Sequence, residues 1–116
     1  MYKQREIVLV PFPYSDLTAT KKRPVLIISN DTYNDTYEDV IVCIITSSVF
    51  MDNYSLLLTN ENLEIGILPE KSLVKVHKLF TIHKEKIIKK FSIVNKEYFH
   101  KVASLLHQLT SSSPAI

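Results

Sequence analysis

The sequence predicts an α+β domain in which a small barrel of short strands is closed by a C-terminal amphipathic helix. Three observations carry this. Apolar, β-branched runs of strand length fill the first two thirds of the chain, each bounded by polar or proline-containing segments. Their apolar residues are continuous rather than alternating, the pattern of strands covered on both faces. The last third ends in apolar residues at helical spacing. Early strands followed by a late helix make an α+β arrangement rather than alternating βα units.

The elements follow in order. Ile7 to Phe12, Val25 to Ser29 and Asp39 to Thr46 are the strongest strand signals, and Tyr54 to Thr59, Leu73 to Val76 and Leu79 to Ile82 are weaker ones. Between the second and third lies a tandem repeat, Asn30-Asp31-Thr32-Tyr33 and Asn34-Asp35-Thr36-Tyr37. It reads as a polar connection of about one helical turn that brings Tyr33 and Tyr37 to one side. Gly66 is the only glycine, so most turns fall to Asn and Asp, which tolerate left-handed backbone and bond their own main chain; Asp52-Asn53 and Asn60-Glu61-Asn62 fit that role. Ile87, Ile88 and Phe91 among lysines predict a short helix over Lys84 to Lys90. The closing helix is the clearest element, from Lys96 to Leu109. Asn95 is its N-cap, Glu97 places negative charge in the first turn, and Tyr98, Phe99, Val102, Leu105, Leu106 and Leu109 form its apolar stripe. Residues 1–109 are expected to form a single domain and residues 110–116, rich in serine, a flexible tail.

Composition limits the function classes. The chain has 116 residues, 46% of them hydrophobic, enough for one core. Fourteen Lys and Arg against twelve Asp and Glu leave a net charge of +2, which permits a nucleic-acid partner without requiring one. The single cysteine, Cys43, sits inside Val40-Ile41-Val42-Cys43-Ile44-Ile45 and reads as a buried structural thiol rather than a nucleophile. His100 and His107, seven apart on the closing helix, lack further ligands, so neither metal nor cofactor is expected. No apolar run has the length of a membrane span and Met1-Tyr2-Lys3-Gln4-Arg5 opens no signal peptide, so a cytoplasmic protein without a membrane partner is expected.

Ile7-Val8-Leu9-Val10-Pro11-Phe12-Pro13-Tyr14-Ser15-Asp16, then a loop, then Lys22-Arg23-Pro24-Val25-Leu26-Ile27-Ile28-Ser29 resembles the opening of the MazF/PemK family of toxin endoribonucleases. Asn30 to Asn34 is similar to the family's link into its third strand. Ile44-Ile45-Thr46-Ser47 resembles the strand end that carries its second catalytic residue. Ser72 to Ile82 is similar to its late strand pair, and the resemblance runs from about Arg5 to about Leu109. Relatives usually have Gly-Asp where this chain has Arg5-Glu6, and many carry an acidic residue or Gln near His77 and Lys78. The resemblance implies an SH3-like toxin barrel and a homodimer that binds single-stranded RNA between its subunits. It also implies a cognate antitoxin, with which the toxin forms a DNA-binding complex. Arg23 and Thr46 would be catalytic; Phe12, Tyr14, Lys21, Lys22, Ser47 and Lys78 would contact RNA.

The chemistry fits these residue types. In metal-free RNA cleavage the ribose 2′-OH attacks the adjacent phosphorus, so an enzyme must neutralise a phosphorane carrying extra negative charge. Arginine does this with a planar, permanently charged fork that donates two parallel bonds to phosphate oxygens. Pro24 biases Arg23 toward extended backbone, a stiff mount. Thr46 closes an apolar strand with a hydroxyl able to bond a phosphate oxygen, and Ser47 and Ser48 add donors. Lys21 and Lys22 add charge that attracts a phosphate backbone. His77 is a candidate acid or base near neutral pH. Two other readings keep the fold: a DNA gyrase poison acting through the C-terminal helix and tail, and a catalytically inactive binding module.

Overall fold

Each apolar run enters one curled antiparallel sheet, seen here in a computed structural model that describes residues 1–11, 21–48 and 50–113. The strands are β1 (Glu6–Pro11), β2 (Lys22–Ile27), β3 (Asp39–Thr46), β4 (Ser55–Leu58), β5 (Leu63–Ile65), β6 (Ser72–His83) and β7 (Lys89–Val94). Helix α1 (Asp31–Thr36) links β2 to β3, and α2 (Lys96–Thr110) ends the fold. The order across the sheet is β4-β6-β3-β2-β1-β7-β5, an open half-barrel with β4 and β5 at its edges.

Burial on both faces explains the unbroken apolar runs. Ile7, Leu26, Cys43, Ile45, Val74 and Val76 point to one side and pack with Tyr98 and Val102 of α2. Their neighbours Val8, Val25, Ile27 and Val42 point to the other, with Val10, Val40 and Ile87. Successive side chains alternate between faces, so a strand buried twice must be apolar at every position. Cys43 is fully buried, and desolvation pushes its thiol up to about 12, as suits a structural residue.

The tandem repeat folds into α1 with a different task for each copy. Asn30 caps the helix, its side chain accepting from the Tyr33 N–H at 2.8 Å. Asn34 is buried and exchanges hydrogen bonds with Ser29. Tyr33 and Tyr37 stack with centroids 4.6 Å apart. Asn95 caps α2 in the same way, bonding the Tyr98 N–H at 2.8 Å.

Three expectations are corrected. The helix expected over Lys84 to Lys90 is a 3₁₀ turn at Lys84–Lys86 followed by β7. The free edge of β1 decides this: Ile88 N–H donates to the Leu9 carbonyl at 2.8 Å, and Lys89 and Lys90 pair with Leu9 and Val8. Unpaired backbone groups on an apolar strand cost more than the local helical preference is worth. The two late strands are one, β6, bent where Val76, His77 and Lys78 have no partner on β3, the ladder jumping from Ile44↔Lys75 to Cys43↔Leu79. Residues 63–65, which carry no strand signal in the sequence, form edge strand β5 on β7. The second strand starts earlier and ends at Ile27, while Phe12 at the expected end of the first lies outside the described residues.

The entry to β1 carries arginine where the resemblance leads one to expect glycine. Arg5 takes a left-handed φ of 81°. Its N–H donates to the Ile27 carbonyl and its carbonyl accepts from Val94 N–H, both at 3.0 Å. Its guanidinium reaches Glu64 and the Val94 carbonyl, each at 2.9 Å. The flanking strands hold a conformation that arginine disfavours.

Candidate active site

Proline opens the site. β2 and β3 pair from Ile27↔Val42 to Val25↔Ile44, and there the ladder stops because Pro24 has no N–H to continue it. Carried two residues further, the same register sets Arg23 opposite Thr46. Where β2 and β3 no longer pair with each other, their ends border a cleft of about 240 Å³ whose lining includes Lys22, Arg23, Pro24, Ile45, Thr46 and Ser47 together with Leu68, Pro69 and Glu70. Arg23 is half-buried and Lys22 exposed.

Thr46 closes β3 with a local turn in which its Oγ1 accepts from the Ser48 N–H at 3.1 Å. The hydroxyl keeps its proton and so remains a donor toward an oxygen in the cleft. The cleft therefore combines a permanent cation, a hydroxyl donor and one carboxylate, Glu70. Such a set can bind an anion and exchange a proton beside it. Glu70 carried no signal in the sequence: Pro69-Glu70 looks like any exposed turn, and only the fold brings it across from Thr46.

A second cavity, of about 580 Å³, shares Thr46 and continues along Ser48, Phe50, Asp52, Lys75, His77 and Lys78. Lys78 is therefore beside Thr46 but not in the cleft that Arg23 lines. Its place comes from the bend in β6, which turns His77 and Lys78 out of the ladder. His77, the candidate acid or base, lines this cavity; its Nε2 faces the Asp52 carboxylate at 3.6 Å, and its buried Nδ1 has no hydrogen-bond partner among the described residues. Asp52 is held at about pKa 2, first by the Ser55 hydroxyl, then by the Tyr54 N–H and Lys75, against the opposing effect of desolvation. Lys21 is exposed and lines neither the cleft nor the second cavity; Phe12 and Tyr14 lie outside the described residues. Among the described residues no three His, Cys, Asp or Glu are grouped to hold a metal ion, and no helix is long and apolar enough to cross a membrane.

A curled antiparallel half-barrel, capped by one C-terminal helix and notched where β2 and β3 part, defines the class of small toxin barrels. Residues 3–110 match the model of the PemK-like, MazF-like toxins of type II toxin–antitoxin systems, and the chain belongs to that family. In fold it is similar to an endoribonuclease solved with its cognate antitoxin from a mycobacterial species, with TM-score 0.79 and 16% identity over 98% of this chain and 100% of that one. It is also similar to the Mycobacterium tuberculosis toxin MazF-mt6, with TM-score 0.73 and 19% identity over 90% and 94% of the two chains. MazE-MazF of Deinococcus radiodurans gives TM-score 0.75 and 15% identity over 97% and 98%. Among curated proteins none matches by sequence.

Proposed function

We propose that this toxin is a metal-independent endoribonuclease that cuts single-stranded RNA in the cytoplasm. The observation that carries the reading is the meeting of Arg23 and Thr46 on adjacent strand ends at one cleft, in a chain of the MazF/PemK family. On this reading the guanidinium of Arg23 bonds two phosphate oxygens and meets the charge that develops as the 2′-OH attacks phosphorus. Thr46 donates to a phosphate oxygen, and Ser47 and Lys22 hold the neighbouring backbone. Glu70 accepts the 2′-OH proton. The P–O5′ bond breaks, and the departing 5′-oxygen takes a proton from solvent water while Glu70 returns the one it accepted, leaving a 2′,3′-cyclic phosphate and a 5′-hydroxyl. Lys21, Lys78, Phe12 and Tyr14 extend the RNA contact on either side. Residues 1–109 act as one toxin unit with 110–116 as its tail. Two copies associate and a cognate antitoxin silences them; the mycobacterial endoribonuclease that shares the fold is in complex with its cognate antitoxin.

The test is single-turnover cleavage of RNA oligonucleotides with EDTA present and with product ends identified. Arg23→Ala is expected to slow cleavage by on the order of 10²-fold or more without loss of folding, as for other preorganised transition-state donors. Arg23→Lys recovers little, because a point charge cannot reproduce the two-pronged contact, and Thr46→Ser retains more activity than Thr46→Ala. A folded Arg23→Ala protein cutting at the wild-type rate refutes the assignment. Loss of activity on chelation, restored by magnesium, refutes the mechanism. A folded wild-type protein that cuts no RNA returns the choice to gyrase poisoning or inactive binding.

A further inference from the structure

Phe50 is a large aromatic that the fold leaves 71% exposed, four residues past Thr46, on the wall of the cavity that Thr46 shares. Exposure alone means little, since single apolar side chains are common on surfaces. What marks Phe50 is the way it is held. Lys75 is only 8% exposed, a charged residue on an otherwise apolar stretch of β6 between Val74 and Val76. A buried ammonium is costly unless its donors are used. Among the described residues the three acceptors of Lys75 lie on the segment carrying Phe50 or the strand just after it: the Phe50 carbonyl at 2.6 Å, the Asp52 carboxylate at 3.2 Å and the Ser55 hydroxyl at 2.9 Å. The ammonium also lies 5.4 Å from the centroid of the Phe50 ring. Ser55 is the cross-strand partner of Lys75 on β4, so the clamp is anchored in the sheet.

We propose that Phe50 is a base-stacking residue of the RNA site and that Lys75 positions it. This rests on the ribonuclease reading. An RNA strand with its scissile phosphate at Arg23 and Thr46 has its flanking nucleotides beside the second cavity. An exposed aromatic face fixed there offers the platform on which unpaired bases stack. Ser48, Asp52 and Lys78 around it supply donors and an acceptor for the base edge. Fixing the ring in advance also removes an ordering cost from RNA binding.

The protein contains no tryptophan, so Phe50→Trp places a single reporter at this position. The probe is a short fluorescein-labelled 2′-O-methyl RNA of mixed sequence, which binds but lacks the attacking hydroxyl. Titration of the Phe50→Trp variant with the unlabelled form is expected to quench its indole emission in step with the anisotropy of the labelled strand. Phe50→Ala is expected to weaken binding about tenfold while leaving the salt dependence of log Kd unchanged, because stacking releases no counterions. Lys75→Met should weaken it similarly, with the double variant little worse than either single one. Saturation of the RNA without any change in indole emission overturns the proposal, as does wild-type affinity in Phe50→Ala. A shift of Phe50→Ala from dimer to monomer in sedimentation assigns the residue to the subunit interface and also overturns it. A wild-type protein that cuts RNA while Phe50→Ala binds normally defeats the stacking role alone. A wild-type protein that neither binds nor cuts RNA defeats the ribonuclease reading with it.

Discussion

Gly66→Ala tests how tightly the edge of the barrel is built. Gly66 follows β5, where the β5–β7 ladder already slips between Leu63↔Val94 and Ile65↔Ile93. Its φ is 96°, and a Cβ placed there would lie 2.6 Å from Ser92 Cβ, 3.0 Å from the Phe91 carbonyl oxygen and 3.1 Å from Ser92 Cα. None of those atoms is the free end of a flexible side chain, so β5 and β7 must move apart. Left-handed backbone in an alanine costs about 1–2 kcal/mol. Overpacking against fixed atoms adds about 1–3 kcal/mol. The smaller conformational freedom of alanine in the unfolded chain gives back about 0.4–1 kcal/mol. The net is a loss of roughly 1–4 kcal/mol, a large part of the roughly 5–15 kcal/mol typical of a domain. At about 4 °C per kcal/mol for a chain of this size, the melting temperature should fall by roughly 5–15 °C in thermal denaturation followed by circular dichroism. A variant melting within about 2 °C of wild type, less than the smallest of these costs, would refute the close approach of residue 66 to β7.

Asp52 gives a pH prediction. Its folded pKa of about 2 lies below that of an unfolded aspartate, so its ionised form stabilises the fold above about pH 4 and that contribution is lost as pH falls toward 2. The stability gap between wild type and Asp52→Asn should therefore close across that window in acid unfolding, and a constant gap would show that the carboxylate is not held by Ser55, Tyr54 and Lys75. Assembly gives another. Leu57, Ile65, Ile67 and Leu79 remain exposed on the single chain, and sedimentation at micromolar concentration should show a dimer; a clean monomer would undercut RNA binding between subunits.

Much of this protein was legible in its sequence because the relevant forces are local or periodic. Continuous β-branched runs marked β1, β2 and β3, since a strand buried on both faces has no polar side to show. Asn95 announced the helix it caps, because a cap acts on N–H groups only three residues away. Arg23-Pro24 and Thr46 were legible as strand ends, and only the family resemblance implied phosphate chemistry for them. What tertiary structure alone decided depends on partners distant in the chain. Lys84 to Lys90 has helical spacing, but the unpaired edge of β1 draws its end into β7. Nothing local tells β6 to bend at His77 and Lys78; the competing demands of β4 and of both halves of β3 do that. Glu70 joins the cleft only when the fold brings Leu68, Pro69 and Glu70 into the same lining as Thr46, and Lys75 looks like a surface lysine until Phe50, Asp52 and Ser55 enclose its ammonium. Side-chain type and spacing fix what each short segment prefers, whereas a site is a set of distances between segments, and those are set by how the sheet curls.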